Sequence, residues 1–227
     1  MSAPYISVVI PTLDEGKNIK KLIGGVKSII GSYGTNNEII IVDGHSSDNT
    51  VALAKRGGAK ILYDDKGKGS ALIKGLNSAK GSVIIAMDAD LSHRPNELRL
   101  LIAGIEAGYE ICMGSRFLTG GGSDDMPALR RFGNSLFVAL VNLIYGSRYT
   151  DLCYGYRSFA RGVVKRLDLK EKGFGIETEI SIKAKQKQMR VLEVPSYEKK
   201  RESGEGKLRS LNDGIVILRT IATSYNG

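Results

Sequence analysis

Five short apolar runs punctuate the first half of the chain: YISVVI (5–10), EIIIVD (38–43), AKILY (59–63), SVIIAMD (82–88) and YEICMG (109–114). Helix-like stretches lie between them, near 17–30, 49–57, 70–79 and 95–107. Runs of this length read as strands buried on both faces, and their alternation with helices predicts a parallel, doubly wound α/β sheet. Pro95 suits the first turn of the helix that follows the fourth run.

The strand ends carry acids. The first run leads into PTLDEG with Asp14 and Glu15, the second ends on Asp43, and the fourth on MDADLSH with Asp88 and Asp90. Singly, each has a plain structural reading: acids favour helix N-termini, and Ser46, Ser47 and Asp48 are ordinary N-cap residues. Together they mean more, because open α/β sheets bind ligands at the shared carboxyl edge of their strands. Converging carboxylates repel one another unless a cation intervenes. Asp-x-Asp at a strand end suits a hard, oxygen-ligated ion, Mg²⁺ or Mn²⁺, that also holds a diphosphate. KGKGSALIKGL (66–76) puts glycines and lysines at a helix start but lacks P-loop spacing, so an ATPase is disfavoured, while a glycine turn that sets Lys66 and Lys68 near an anionic ligand stays open. His93 reads as a helix-start residue without chemistry.

Beyond Gly114 the pattern changes. TGGGSDD (119–125) is a loop by composition, followed by an apolar helix at 134–146, a helix near 176–188 and a strand at 189–197. A charged loop (199–207) and a final helix (208–221) close the chain. No repeat or long linker interrupts it, so residues 1–227 read as one domain with an elaborated C-terminal half. The 134–146 helix is apolar almost all round, which fits either core burial or a face laid into a membrane interface.

Composition removes several classes. With 42% apolar and 25% charged residues the chain is not disordered. MSAPYISVVIPT lacks the layout of a secretion signal, and no apolar run approaches the roughly 18 residues of a membrane span. Cys112 and Cys153 have no metal-ligand spacing. A soluble, cytoplasmic protein is expected. The net charge of +9 calls for an anionic partner, whether phosphorylated small molecule, acidic lipid or nucleic acid. Without a zinc spacing or an aromatic-rich RNA motif, nucleic acid is the weakest of these.

The order SVVIPTLDE, IIIVDGHSSDNT, KGKGSAL and MDADLSH resembles the family 2 glycosyltransferases of the GT-A fold. GSRFLTGG, RRFGNSLFVALVNLIYG, DLCYGYRSF, GFGIETEI and VLEVPSYEKKRESGEGKL look like the dolichyl-phosphate mannose synthases and their polyprenyl-phosphate relatives. The likeness runs from about Tyr5 to Ile221. It implies a nucleotide-sugar-binding half over 1–114 and an acceptor- and membrane-facing half over 115–227. The implied activity is inverting, metal-dependent transfer of a sugar, mannose from GDP-mannose ahead of the UDP sugars, to dolichyl or polyprenyl phosphate. UDP-glucose and UDP-N-acetylglucosamine stay open as donors, as does an inactive sugar-nucleotide-binding protein.

The resemblance also implies roles. Pro11, Thr12, Glu15, Asp43, Lys68, Asp88 and Lys207 would bind the nucleotide sugar, and Asp88, Asp90 and Ser92 the Mg²⁺ or Mn²⁺. Arg116, Arg131 and Ser135 would bind the acceptor phosphate, with Asp90, Arg116 and Arg201 at the reaction. Gly44 stands where the family often has a base-reading carboxylate, which leaves the nucleotide open. A phosphate monoester, with its second pKa near ~6, is mostly dianionic at neutral pH and attacks with little help from a base. That accords with a chain holding only two histidines. The acceptor implies peripheral attachment to the cytoplasmic face of an anionic membrane.

Overall fold

The computed structural model describes residues 5–201 and 210–224. The first half alternates as expected: β1 (Ile6–Thr12), α1 (Ile19–Ile30), β2 (Glu38–Asp43), α2 (Thr50–Arg56), β3 (Lys60–Tyr63), α3 (Lys68–Ser78), β4 (Val83–Ala86), α4 (Leu98–Glu106) and β5 (Ile111–Ser115). The second half comprises β6 (Gly122–Ser123), α5 (Ala128–Tyr145), β7 (Arg157–Ala160), α6 (Val163–Leu167), α7 (Ile176–Gln186), β8 (Val191–Pro195), β9 (Tyr197–Glu198) and α8 (Ser210–Thr223).

Seven strands form one sheet in the order β3-β2-β1-β4-β7-β5-β8. All neighbours are parallel except β7, which runs antiparallel between β4 and β5. Apolar periodicity predicts no strand there. RSFA is four residues long and opens on arginine, too short and polar a run for periodicity to mark. β1 pairs with β2 on one side and β4 on the other, and Thr12 lies opposite Asp43 at their carboxyl ends. The D-A-D stretch follows β4 directly, so the expected acids do share one edge.

Strand side chains alternate between two cores, as a two-residue period requires. Ile6, Val8 and Ile10 of β1 join Ile39 and Ile41 of β2 against α1 and α4. Val9, Ile40 and Val42 face the opposite layer with Leu72, Leu76, Phe137 and Ile180. Gly75 lets α3 approach the sheet closely, since a Cβ there would lie 2.3 Å from Val9.

α5 is longer than the apolar stretch suggested and begins at Ala128. Asn134, Phe137 and Val141 turn inward, and Gly146 ends the helix in the left-handed region at φ 63°. Leu129, Phe132, Leu136, Leu143 and Ile144 are exposed, as are Ile215 and Leu218 on α8. The helix thus buries one face in the core and leaves apolar side chains exposed on the other. Among the described residues, no helix is long and apolar enough to cross a membrane.

Candidate active site

The loops at the carboxyl edge are conformationally constrained. Asp14 after β1, His45 after β2 and Leu91 after β4 all have positive φ, at 56°, 62° and 63°. For a bulky residue such as Leu91, inside the D-A-D turn, that backbone costs roughly 1–3 kcal/mol. The turn is secured by its neighbours. Ser92 donates to Asp90 Oδ1 from both its backbone N–H (3.0 Å) and its hydroxyl (2.6 Å). His93 is buried, stacked on Tyr156 at 4.6 Å, and its Nδ1 accepts the Asp88 N–H at 3.1 Å. His93 and Ser92 therefore set the geometry of the two aspartates from behind.

Above this edge lies a cleft of about 950 Å³. Pro11, Thr12, Glu15, Lys68, Asp88 and Asp90 line it, as do Arg116 and Arg201. Lys68 Nζ bridges Asp88 Oδ1 and Glu177 Oε1, each at 2.9 Å. Burial alone would raise the Asp88 pKa, but the attraction of Lys68, His93 and Arg201 outweighs it and holds the carboxyl down at about 2. Burial likewise opposes the charge on Lys68, yet its two carboxylate partners lift its pKa above the ordinary value. The glycines of K-G-K-G let the chain pack closely enough to form this bridge. A Cβ at Gly69 would lie 2.3 Å from the Glu171 carbonyl oxygen and one at Gly67 2.6 Å from that of Lys172. Close packing on 171–173 brings Lys68 to the start of α7, where Glu177 sits.

Arg116 is held by carboxylates on two sides. Its Nε and Nη2 donate to Asp151 at 2.7 and 2.9 Å, its Nη1 donates to Glu198 at 3.1 Å, and its guanidinium lies 4.7 Å from the Tyr154 ring centre. Those partners, against the opposing effect of burial, raise its pKa. Arg201 Nε approaches Asp90 Oδ2 at 2.8 Å and Asp125 at 3.5 Å.

Other expected residues sit elsewhere. Asp43 is fully buried beneath the cleft wall and takes hydrogen bonds from Thr12 (3.0 Å) and from Ser46 N–H and hydroxyl (2.8 and 2.6 Å). These bonds tie β1 to the turn after β2. Ser92 is buried behind Asp90. Arg131 and Ser135 lie on the exposed side of α5, where Ser135 Oγ donates to the Arg131 carbonyl at 3.0 Å. Lys207 falls outside the described residues.

The cleft also holds Glu177, Arg130 and Asn134, to which the sequence alone assigns no role. Asn134 is only 4% exposed; its Oδ1 accepts the Leu152 and Cys153 N–H groups at 3.2 Å, which leaves its Nδ2 without a partner among the described residues. A signal for both α5 residues was available. Positions 130, 134, 137 and 141 share one helix face, and 131 and 135 are turned away by about 100°.

A metal ion would find hard oxygen donors in Asp88 and Asp90, but the described residues contain no group of three or more acidic, His or Cys side chains arranged around one point. Two carboxylates suffice for Mg²⁺, which binds through one or two of them together with substrate phosphates and water. The donor set fits an ion that arrives with a diphosphate.

A mainly parallel sheet with one reversed strand, and acids gathered at its carboxyl edge beside a basic second half, define a GT-A-type fold. A solved structure of that kind, glucosyl-3-phosphoglycerate synthase from Mycobacterium tuberculosis with Mn²⁺, UDP and glucosyl-3-phosphoglycerate, matches with a TM-score of 0.76 at 20% identity, over 98% of this chain and 80% of that one. Residues 7–168 match glycosyl transferase family 2, and the chain belongs to that family. A dolichol-phosphate mannosyltransferase of Pyrococcus furiosus is 34% identical across 90% of this chain and 59% of its own length. A polyprenol monophosphomannose synthase of Mycolicibacterium smegmatis is 29% identical across 90% of this chain and 81% of its own. The chain thus spans under two thirds of the Pyrococcus relative.

Proposed function

We propose that this protein transfers a hexose from a nucleotide diphosphate sugar to a polyprenyl phosphate, with inversion at the sugar. The observation that carries this reading is a single cleft lined both by the acids and Lys68 of the strand edge and by Arg130, Asn134 and apolar side chains of α5. Relatives named for transfer to dolichol or polyprenol phosphate support the acceptor class. Mannose from GDP-mannose is the favoured donor on the same ground.

Asp88 and Asp90 would hold Mg²⁺ or Mn²⁺ against the diphosphate, where the ion neutralises charge on the departing nucleoside diphosphate. The structural neighbour crystallised with Mn²⁺ and UDP supports that choice of ion. Arg201 adds a second positive group on the Asp90 side. On α5, Arg130 and the free Nδ2 of Asn134 would donate to the acceptor phosphate; Arg116, already matched by Asp151 and Glu198, orders the floor between them. The phosphate oxygen is its own nucleophile, so the residues chiefly position it and screen charge.

The lipid chain would leave the cleft past Leu129, Phe137 and Ile217. The exposed apolar face of α5 and α8, together with the charge of +9, suits peripheral docking on the anionic cytoplasmic face of a membrane. The test is incubation of the protein and Mn²⁺ with polyprenyl phosphate and radiolabelled GDP-mannose, UDP-glucose or UDP-N-acetylglucosamine. Label should enter the organic phase from one donor, and its absence with all three would contradict the proposal.

A further inference from the structure

Glu177 stands in the first turn of α7, on the cleft wall and only 5% exposed. Its Oε1 pairs with Lys68, and among the described residues its Oε2 has no hydrogen-bond or ion-pair partner. Lys68 is shared with Asp88, and the buried Arg157 guanidinium also attracts Glu177, so its charge is met while Oε2 keeps its capacity to accept a hydrogen bond. A carboxylate oxygen that lacks protein donors can take hydrogen bonds from ligand hydroxyls.

What could supply those donors is set by charge. The diphosphate of a nucleotide sugar is anionic and would be repelled by Glu177. The hexose is neutral and rich in hydroxyl donors. Lys68 sits between the two carboxylates, with Asp88 on the diphosphate side, so Glu177 lies one ammonium group further from the phosphates. Position 155 is a glycine whose added Cβ would stand 3.3 Å from both Asp88 Oδ2 and Glu177 Oε1. The chain thus keeps side-chain bulk out of the space these two carboxylates share.

We infer that Glu177 is a specificity-determining residue for the transferred sugar, its carboxylate accepting hydrogen bonds from hexose hydroxyls. The inference rests on the nucleotide-sugar reading above and adds which side chain reads the hexose. A site built to bond hydroxyls discriminates strongly, because analogues lacking them leave its polar group unpaired.

The experiment is calorimetry on the full chain with each nucleotide and its sugar conjugate: GDP and GDP-mannose, UDP and UDP-glucose, UDP and UDP-N-acetylglucosamine. For the conjugate that wild type binds, Glu177→Gln should weaken affinity by about tenfold or more while the parent nucleotide changes by less than about threefold. Glu177→Asp keeps the charge beside Lys68 and retracts its oxygens; it should give the same split, and it serves if the glutamine variant does not fold. Equal weakening of conjugate and nucleotide would make Glu177 only a counter-ion of Lys68 and overturn the inference, as would no change in either. Wild type that binds no conjugate at all would overturn the nucleotide-sugar reading and this inference with it.

Discussion

Arg201 Nε lies 2.8 Å from Asp90 Oδ2, a close charge contact that lacks hydrogen-bond alignment. The carboxylate proposed to take a metal ion is therefore matched, without ligand, by a side-chain cation. A diphosphate entering the cleft offers Arg201 better acceptors and frees Asp90 for the ion, since guanidinium pairs with phosphate oxygens in two-pronged fashion. Chelation with EDTA should abolish sugar transfer and Mg²⁺ or Mn²⁺ restore it. Arg201→Ala should slow transfer about tenfold to a hundredfold, the worth of one charge-assisted hydrogen bond at about 1.5–3 kcal/mol. Lysine should recover only part. Full turnover in excess chelator would contradict the role given to Asp90.

Membrane docking is testable away from the core. Phe132 and Leu143 are 67% and 82% exposed on α5, so replacing both with serine should leave the melting temperature nearly unchanged. The same change should reduce co-sedimentation with anionic vesicles severalfold, and wild-type binding should fall as salt screens the basic surface. Vesicle binding unaffected by the double substitution would move the docking face elsewhere.

How far the site was readable differs from element to element. The β1–β5 alternation and the acids at the carboxyl edge follow from run length and strand-end position, both local properties. β7 did not, because four residues beginning on a buried arginine give no apolar period. The family motif led to Arg131 and Ser135, whereas helix phase, fixed only once Phe137 and Val141 are known to be buried, turns Arg130 and Asn134 to the cleft. Glu177 lay inside a noticed stretch, GFGIETEI, but its partnership with Lys68 depends on contacts between α3 and residues 171–173 that are far apart in sequence.

Arg157 accounts for much of the wall's rigidity. It is 1% exposed and donates to the carbonyls of Leu152 (3.0 Å), Tyr154 (3.0 Å) and Glu177 (2.8 Å), and to Ser181 Oγ (3.0 Å). Burial lowers its pKa, although Glu177 and Asp151 oppose that. Arg157→Met keeps much of the volume but strips three buried carbonyls of a donor, at roughly 1–3 kcal/mol for each one left unsatisfied. Urea denaturation should show a loss of about 3 kcal/mol or more. A midpoint unchanged from wild type would mean that water or a neighbour replaces these bonds without cost.

Cys112 should be inert in the folded protein, and Cys153, half-buried on the cleft wall, should be slow to react. Burial pushes the Cys112 thiol up to about 12, and burial with the nearby Asp151 does the same for Cys153. Because the thiolate is the reactive form, the fraction available falls tenfold per pH step below that value. A thiol reagent such as DTNB at pH 8 should leave Cys112 unmodified until denaturant is added, and Cys153 should react more slowly than in the unfolded chain. Prompt modification of Cys112 in native protein would contradict its burial.

The account's central claim is that one cleft divides into a donor end at the strand edge and an acceptor end on α5. Arg130→Ala tests it by separating binding from transfer. Calorimetry should find nucleotide-sugar affinity within about twofold of wild type, while transfer to polyprenyl phosphate falls by about tenfold or more. Arg131→Ala, on the exposed side of the same helix, should change transfer less than Arg130→Ala does. Loss of donor binding in folded Arg130→Ala, or transfer by it at the wild-type rate, would contradict the claim.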